Sequence, residues 1–315
     1  MRINGFAFYN FRSFGDFAVG VVKPQANDLT MYCIPNGCGK TNFQWAITWC
    51  LYREDLDPHL YATANLEMMS EFLEEGKETC TTRVSIFAVD GEDQYEFRRT
   101  AEFEILKNRQ IDSRFQIFIR RKGEQDVCIE DPAEADRIVE QHFPSRYRQY
   151  AFPAEGLHVF SRSCDWNVKS EEEKTLLLEN REDLSASVTT LFHVAAGWKT
   201  ARNFSGMHIE IGKDLKIRLL DEQGNSRWGD LSQQEIETIQ ISCWLAVCRL
   251  LKDVSFVCLD SPFSAVSMAE RMLEPLMKDL MQLVLSKQVV LLLSQESYKM
   301  VEDAINKMQG HQSRG

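Results

Sequence analysis

The sequence predicts an α/β fold: a mixed sheet with an N-terminal antiparallel β-lobe and a helical lobe. Three observations predict it. A short apolar strand at 29–34 runs into the glycine-rich turn Pro35-Asn36-Gly37-Cys38-Gly39-Lys40-Thr41, and an apolar-rich helix follows from Asn42 to about Tyr52. Residues 80–130 alternate apolar and polar side chains with period two, the mark of an antiparallel meander. Two apolar runs, Val254–Leu259 and Gln288–Leu293, read as buried strands flanking a helix at about 268–285.

Each element has its own signal. Residues 2–9 and 17–23 alternate as two strands joined through Asn10-Phe11-Arg12-Ser13-Phe14. In the meander Val84, Ile86, Phe87 and Val89, then Tyr95 and Phe97, Phe103 and Ile105, and Phe115, Ile117 and Ile119 carry the pattern, and Gly91-Glu92-Asp93 and Lys122-Gly123-Glu124 supply turns. Asp131-Pro132 opens a helix to about His142, with aspartate as N-cap and proline in the first turn. The polar stretch 170–200 reads as helical, opened by a Ser170/Glu173 capping box, but its heptads are not sustained. A strand pair, Met207–Ile211 and Leu215–Leu220, precedes a long helix from Gln233 to Leu251. The implied division is 1–165 for the N-terminal lobe, 166–206 for a short helical insertion, 207–308 for the C-terminal lobe and 309–315 for a frayed tail.

Composition excludes several classes. With 44% hydrophobic and 26% charged residues in 315, the chain can bury a sizeable core. No stretch reaches the ~18 apolar residues of a membrane span, and no signal peptide is visible, so a cytoplasmic protein without membrane attachment is expected. Nine scattered cysteines, with no C-x-x-C pair, read as buried reduced thiols. The six histidines form no H-E-x-x-H cluster. A net charge of −11 argues against a nucleic-acid-coated protein but leaves room for a local basic face. Candidates are Arg98-Arg99, Lys107/Arg109, Arg114, Arg120-Arg121-Lys122 and Arg146/Arg148, each of which also reads as a solvated strand end or loop.

The turn at 35–41 carries the strongest chemistry. Its glycines let backbone N–H groups converge on phosphate oxygens, and the following helix N-terminus adds a favourable field. Lys40 would neutralise phosphate charge and the Thr41 hydroxyl would sit on Mg²⁺. The strict pattern G-x-x-x-x-G-K-S/T is broken at its first glycine, where Ile34 stands. The run Val254 to Asp260 delivers a carboxylate to the C-terminal end of a buried strand, where it can hold Mg²⁺ through water. Leu231-Ser232-Gln233-Gln234-Glu235, taken alone, is a helix-capping box.

In the order N-F-R-S-F, P-N-G-C-G-K-T, L-S-Q-Q-E and V-C-L-D-S-P-F-S, the chain resembles SMC/RecF/DndD-type heads of the ABC-type ATPases. The resemblance covers most of 1–45 and 185–300, and Asp260-Ser261-Pro262 is most similar to the DndD branch. It implies a P-loop head that binds ATP and Mg²⁺ and forms a head-to-head homodimer. DNA is implied as a partner, with other proteins of a repair, modification or defence complex. It implies that Arg12 reaches toward nucleotide or partner, and that Asn36, Gly37, Cys38, Gly39, Lys40 and Thr41 cradle phosphate. Thr41 and Asp260 would hold Mg²⁺. Ser232, with Gln233 beside it, would meet the γ-phosphate held by the opposing subunit.

Departures from the pattern bear on catalysis. Gln233 and Gln234 replace signature glycines, Ser261 stands in place of the glutamate that orients water, Ser267 replaces an aspartate, and Gln295 replaces the switch histidine. Lys40, Asp260, Ser261 and Gln295 are thus the positions on which turnover depends. Losing a general base costs ~10²–10⁴-fold in rate while leaving binding intact. Glu296 and Glu270 read as exposed helix and loop carboxylates rather than as substitutes for that base, and Gln149 and Glu155 are candidates either for the family's Q-loop residue or for an ordinary lobe-connecting loop. Two functions follow: a slow, DNA-stimulated ATPase head, or a hydrolysis-deficient, nucleotide-gated scaffold subunit. Motif spacing disfavours a transporter domain. The short middle, without heptads or a C-x-x-C hook, fits a compact head or one whose arms are absent.

Overall fold

A computed structural model describes residues 1–19, 28–52, 63–153, 166, 168, 170–196, 204, 206–262 and 270–312. The strands are β1 (Arg2–Phe11), β2 (Phe14–Val19), β3 (Leu29–Cys33), β4 (Thr79–Asp90), β5 (Asp93–Glu104), β6 (Arg109–Arg120), β7 (Val127–Ile129), β8 (His208–Ile211), β9 (Ile217–Leu220), β10 (Phe256–Asp260) and β11 (Gln288–Leu293). The helices are α1 (Lys40–Tyr52), α2 (Leu66–Glu74), α3 (Pro132–His142), α4 (Arg148–Ala151), α5 (Glu171–Glu179), α6 (Arg181–Ala196), α7 (Gln233–Leu250), α8 (Glu270–Val284) and α9 (Gln295–Gln312). They fall into two units: Met1–Ala26 with Ile34–Ser145, and Asn27–Cys33 with Arg146–Gly315.

The first unit is built on an antiparallel sheet in the order β2-β1-β4-β5-β6-β7. Its period-two pattern sends Phe6, Phe8, Val84, Ile86, Phe97 and Ile117 to one face, all nearly inaccessible to solvent. Helix α1 covers that face. Phe43 meets Phe6 and Phe8 edge-on, at ring separations of 5.0 and 5.1 Å. Because α1 is buried on most sides it carries little amphipathic pattern, and tertiary packing holds it rather than intrinsic propensity. Arg99 ties sheet to helix: it is 5% exposed, donates to the Trp49 carbonyl at 2.6 Å and lies over the Trp49 ring at 4.6 Å. Asp131 caps α3 as its sequence anticipates, accepting from the Glu134 N–H.

In the second unit three parallel strands run in the order β10-β11-β3, with Asp260 opposite Leu292 and Leu293 opposite Cys33. Every residue of β10 is buried, which is why it reads as a continuous apolar run. The β8 edge is closed by a stripe on α6. Ser185 accepts from the Ile211 N–H, Thr189 from the Ile209 N–H, and the His193 ring meets the Met207 carbonyl at 2.7 Å. Four helical residues rise about 6 Å and two strand residues about 6.7 Å, so the spacings match.

Buried polar groups brace this unit. Tyr150, fully buried, donates to Glu173 at 2.6 Å and accepts from the Trp166 indole at 2.8 Å. Gln149 also donates to Glu173, and the Tyr150 carbonyl receives the Trp244 indole at 3.1 Å. Lys287, 4% exposed, donates to the carbonyls of Leu251 and Val254 at 2.6 Å each, closing the C-terminal end of α7.

Burial depresses the Lys287 pKa, partly offset by Cys248 and Asp253. A lysine whose pKa is lower folded than unfolded gives stability that rises as pH climbs through the folded value toward the ordinary one. Lys287→Met should therefore cost about 1–3 kcal/mol in urea unfolding by orphaning two carbonyls. The wild-type advantage should widen toward alkaline pH; a gap independent of pH would contradict the depressed pKa.

The structure departs from the sequence reading in several places. The stretch expected as helical over 170–200 holds two helices, α5 and α6, separated at Asn180, which caps the first. Ser170 caps α5, but the Glu173 carboxylate is drawn inward by the Tyr150 hydroxyl and the Gln149 amide, leaving the residue 1% exposed. Helices α2 and α9 were not anticipated, and α9 continues to Gln312, inside the tail expected to fray from 309. The strand expected over 17–23 is described only to Val19.

Candidate functional site

The P-loop lies in the first unit, directly after β3, and its backbone explains its sequence. Gly37 and Gly39 adopt φ of +80° and +99°, and the Cys38 N–H closes a turn on the Pro35 carbonyl at 3.1 Å. A Cβ on Gly39 would collide with the Ser13 hydroxyl and lie 3.3 Å from the Phe14 ring. Ser13 also accepts from the Asn42 side chain at 2.9 Å, so the β1–β2 turn and the start of α1 are in direct contact. Lys40 folds back along the loop, its ammonium donating to Asn36 Oδ1 at 2.8 Å and to the Ile34 carbonyl at 3.4 Å. Ile34 thus serves through its backbone, a role that requires no glycine.

The donor set suits a phosphate chain. Asn36, Gly37 and Cys38 are exposed, and Lys40 and Thr41 are half-buried. Helices α2, α3, α5, α6, α7 and α9 each carry an acid in the first turn, whereas α1 has none. Its N-terminal field is therefore not offset by a carboxylate of its own first turn. Arg12, in the turn between β1 and β2, holds its guanidinium 4.1 Å from the centre of the ring of Trp45, which lies on the same helix.

Asp260 and Ser261 lie in the second unit, at the end of β10. Asp260 is 4% exposed and accepts from the Ser261 hydroxyl at 3.0 Å. Ser261 has φ +48°, a left-handed conformation that costs a non-glycine residue about 1–2 kcal/mol, and its N–H continues the ladder to Leu292. Burial first, and then the Asp260 charge, push the Cys258 thiol far above its ordinary pKa, so it stays protonated beside the carboxylate. Gln295 is exposed at the start of α9, whose N-cap is Ser294.

Ser232 does cap α7. Its side chain takes the Glu235 N–H at 3.4 Å, and its own N–H and hydroxyl donate to the Glu235 carboxylate at 2.6 and 2.8 Å. The serine remains exposed, with Gln233 opening the helix beside it. The sequence-derived residues therefore form two groups, Arg12 with Asn36–Thr41 in one unit and Ser232, Gln233, Asp260, Ser261 and Gln295 in the other. Ser267 and Glu155 lie outside the described residues. Gln149, the other Q-loop candidate, is engaged by buried Glu173.

One expectation is corrected. Cys33, Cys38 and Cys128 are exposed rather than buried, because the first ends β3 just before the P-loop, the second lies within the loop and the third lies on short edge strand β7. The candidate basic residues are largely paired with acids: Arg98 with Glu96, Lys107 and Arg109 with Glu104, Arg114 with Asp112, Arg120 with Asp126, Arg121 with Asp93, and Arg146 with Asp253. Exposed pairs add little stability, yet they cancel the local excess of positive charge that phosphate contacts require. Ser13 and Asn42, in contact at the loop, were not singled out by motif matching, although both lie inside the matching segments.

No protein-family model matches the chain, and no curated protein does. Solved structures do. An SMC head bound to the C-terminal winged-helix domain of ScpA is 12% identical, with a TM-score of 0.55 over 96% of this chain and 92% of its own. A Pyrococcus furiosus Smc head with an extended coiled coil, bound to the C-terminal domain of ScpA, is 10% identical, with a TM-score of 0.53 over 96% and 91%. The chain therefore has the mixed α/β fold seen in these SMC heads. No helix among the described residues is long and apolar enough to cross a membrane.

Proposed function

We propose that this chain is an ATP-binding head of SMC/RecF/DndD type, which dimerises head to head on ATP and hydrolyses it weakly. The observation that carries the reading is the P-loop itself: two left-handed glycines, a lysine folded along the loop, and a following helix with no acid in its first turn. Asn36 to Lys40 would hold the phosphates and Arg12 would flank them. Thr41 and Asp260 would hold Mg²⁺, whose charge offsets that of the phosphates. Ser232, with Gln233, would complete the site of an opposing copy. DNA as the partner, and a place in repair, modification or defence, rest on the motif resemblance alone.

Ser261 favours the scaffold reading as the second choice. Where a water-orienting glutamate would stand, a hydroxyl donates to Asp260 instead. That leaves binding intact and removes a candidate base.

One experiment separates these readings. A fluorescent ATP analogue with Mg²⁺ should bind the wild type, and Lys40→Ala should weaken binding about tenfold or more, the worth of a charge-assisted contact. Phosphate release, with and without duplex DNA, should be slow and sensitive to Lys40→Ala. Release unaffected by that change would sink the ATPase reading, and binding unaffected by it would sink both.

A further inference from the structure

The turn that presents Arg12 to the P-loop helix is held in an unfavourable conformation. Asn10 and Arg12 both have positive φ, +50° and +49°. Asparagine tolerates this region because its short polar side chain bonds locally, but an arginine does so only where its surroundings impose it. Those surroundings are the segment Thr63 to Asn65. The Arg12 N–H donates to the Thr63 carbonyl at 2.9 Å, and Phe11 forms a bridge with Ala64. The Asn65 side-chain amide donates to the Arg12 carbonyl at 2.6 Å, while the Asn65 N–H donates to Asn10 Oδ1 at 3.0 Å. Asn10, Phe11, Ala64 and Asn65 are almost inaccessible to solvent, so water cannot readily substitute for these bonds.

Asn65 therefore has two separable roles. Its Oδ1 accepts the Met68 N–H at 2.9 Å and caps α2, a local helix function. Its Nδ2 does something else: it fixes the carbonyl of a left-handed arginine whose guanidinium rests on Trp45 of the P-loop helix. The next residue, Ser13, touches Gly39 and receives Asn42.

We infer that Asn65 is a positioning residue for nucleotide binding, locking Arg12 and the turn that carries it into the binding-competent conformation. The inference rests on the nucleotide reading proposed above. A clamp of this kind raises affinity by raising the fraction of molecules already competent, without touching the ligand. Asn65 escapes motif matching because it lies far along the chain from both the turn and the loop, and its residue type announces only a helix cap.

The test uses Asn65→Ser, which keeps an N-cap oxygen but is too short to reach the Arg12 carbonyl. Affinity for a fluorescent ATP analogue should fall about threefold to tenfold, the range of one backbone-directed hydrogen bond, with a fall in Tm of a few degrees that leaves the variant folded at the assay temperature. In an Arg12→Ala background the same change should have a clearly smaller effect on affinity, the remainder passing through Ser13. Asn65→Asp provides the comparison if Asn65→Ser unfolds early, since it keeps size and cap but cannot donate. Wild-type affinity in both Asn65 variants, or an equal loss with and without Arg12, would overturn the inference. Absence of binding by the wild type, or indifference to Lys40→Ala, would overturn the nucleotide reading itself, and the two failures are distinguishable.

Discussion

Tyr150→Phe should destabilise the protein by about 3 kcal/mol, measured by urea unfolding. The hydroxyl it removes is the centre of a buried network: it donates to Glu173 at 2.6 Å and accepts from the Trp166 indole at 2.8 Å. Glu173 is 1% exposed and would retain the Gln149 amide as a neighbour, and the indole would lose its acceptor. A buried charged group deprived of a hydrogen bond costs more than a neutral one, because its desolvation is no longer offset. The phenol is itself held far above its ordinary pKa, first by burial and then by the Glu173 charge, so it stays a donor at every physiological pH. Removing both partners should be gentler than their separate costs imply. Tyr150→Phe/Glu173→Leu should cost about 1–3 kcal/mol less than the two single variants added together. Strict additivity would show that the hydroxyl and carboxylate do not act as a pair.

That network also marks where the sequence was and was not legible. Strands β4 to β6 and β10 were readable because sheet burial writes a period of two or a solid apolar run directly into the chain. The turn between β3 and α1 was readable because its two left-handed positions, Gly37 and Gly39, demand glycine at short spacing. Glu173 was misread because a Ser170/Glu173 pair is locally a capping box, and only a tyrosine twenty-three residues away draws the carboxylate inward. Arg98 and Arg114 differ: their acids, Glu96 and Asp112, stand two residues back on the same strand and are legible in the sequence. Asp260 and Ser232 show the remaining gap. Their local structure, a strand end and a helix cap, follows from sequence, but either element would form for its own stability without any ligand. Local periodicity specifies elements; partners distant in sequence decide what the side chains on them do.

Gly39→Ala should reduce ATP affinity by about thirtyfold or more, whereas Gly37→Ala should reduce it only about fivefold. Both glycines are left-handed, at φ +99° and +80°, so alanine at either position carries a backbone penalty of about 1 kcal/mol. They differ in what a methyl group would meet. At Gly37 nothing lies within 4 Å, but at Gly39 the Ser13 hydroxyl occupies the space and the Phe14 ring stands 3.3 Å away. Overpacking of that kind adds about 1–3 kcal/mol. It also acts on the turn carrying Arg12, displacing loop and arginine together. Ser13→Gly removes the colliding hydroxyl, so Gly39→Ala/Ser13→Gly should bind more tightly than Gly39→Ala alone, despite losing the Asn42 contact with Ser13. Recovery would remain partial, since Phe14 still crowds the position. Equal losses at the two glycines, or no recovery in the double variant, would mean that backbone conformation alone governs the loop. A rescued double variant would instead establish that the β1–β2 turn and the P-loop bind phosphate as one mechanical element.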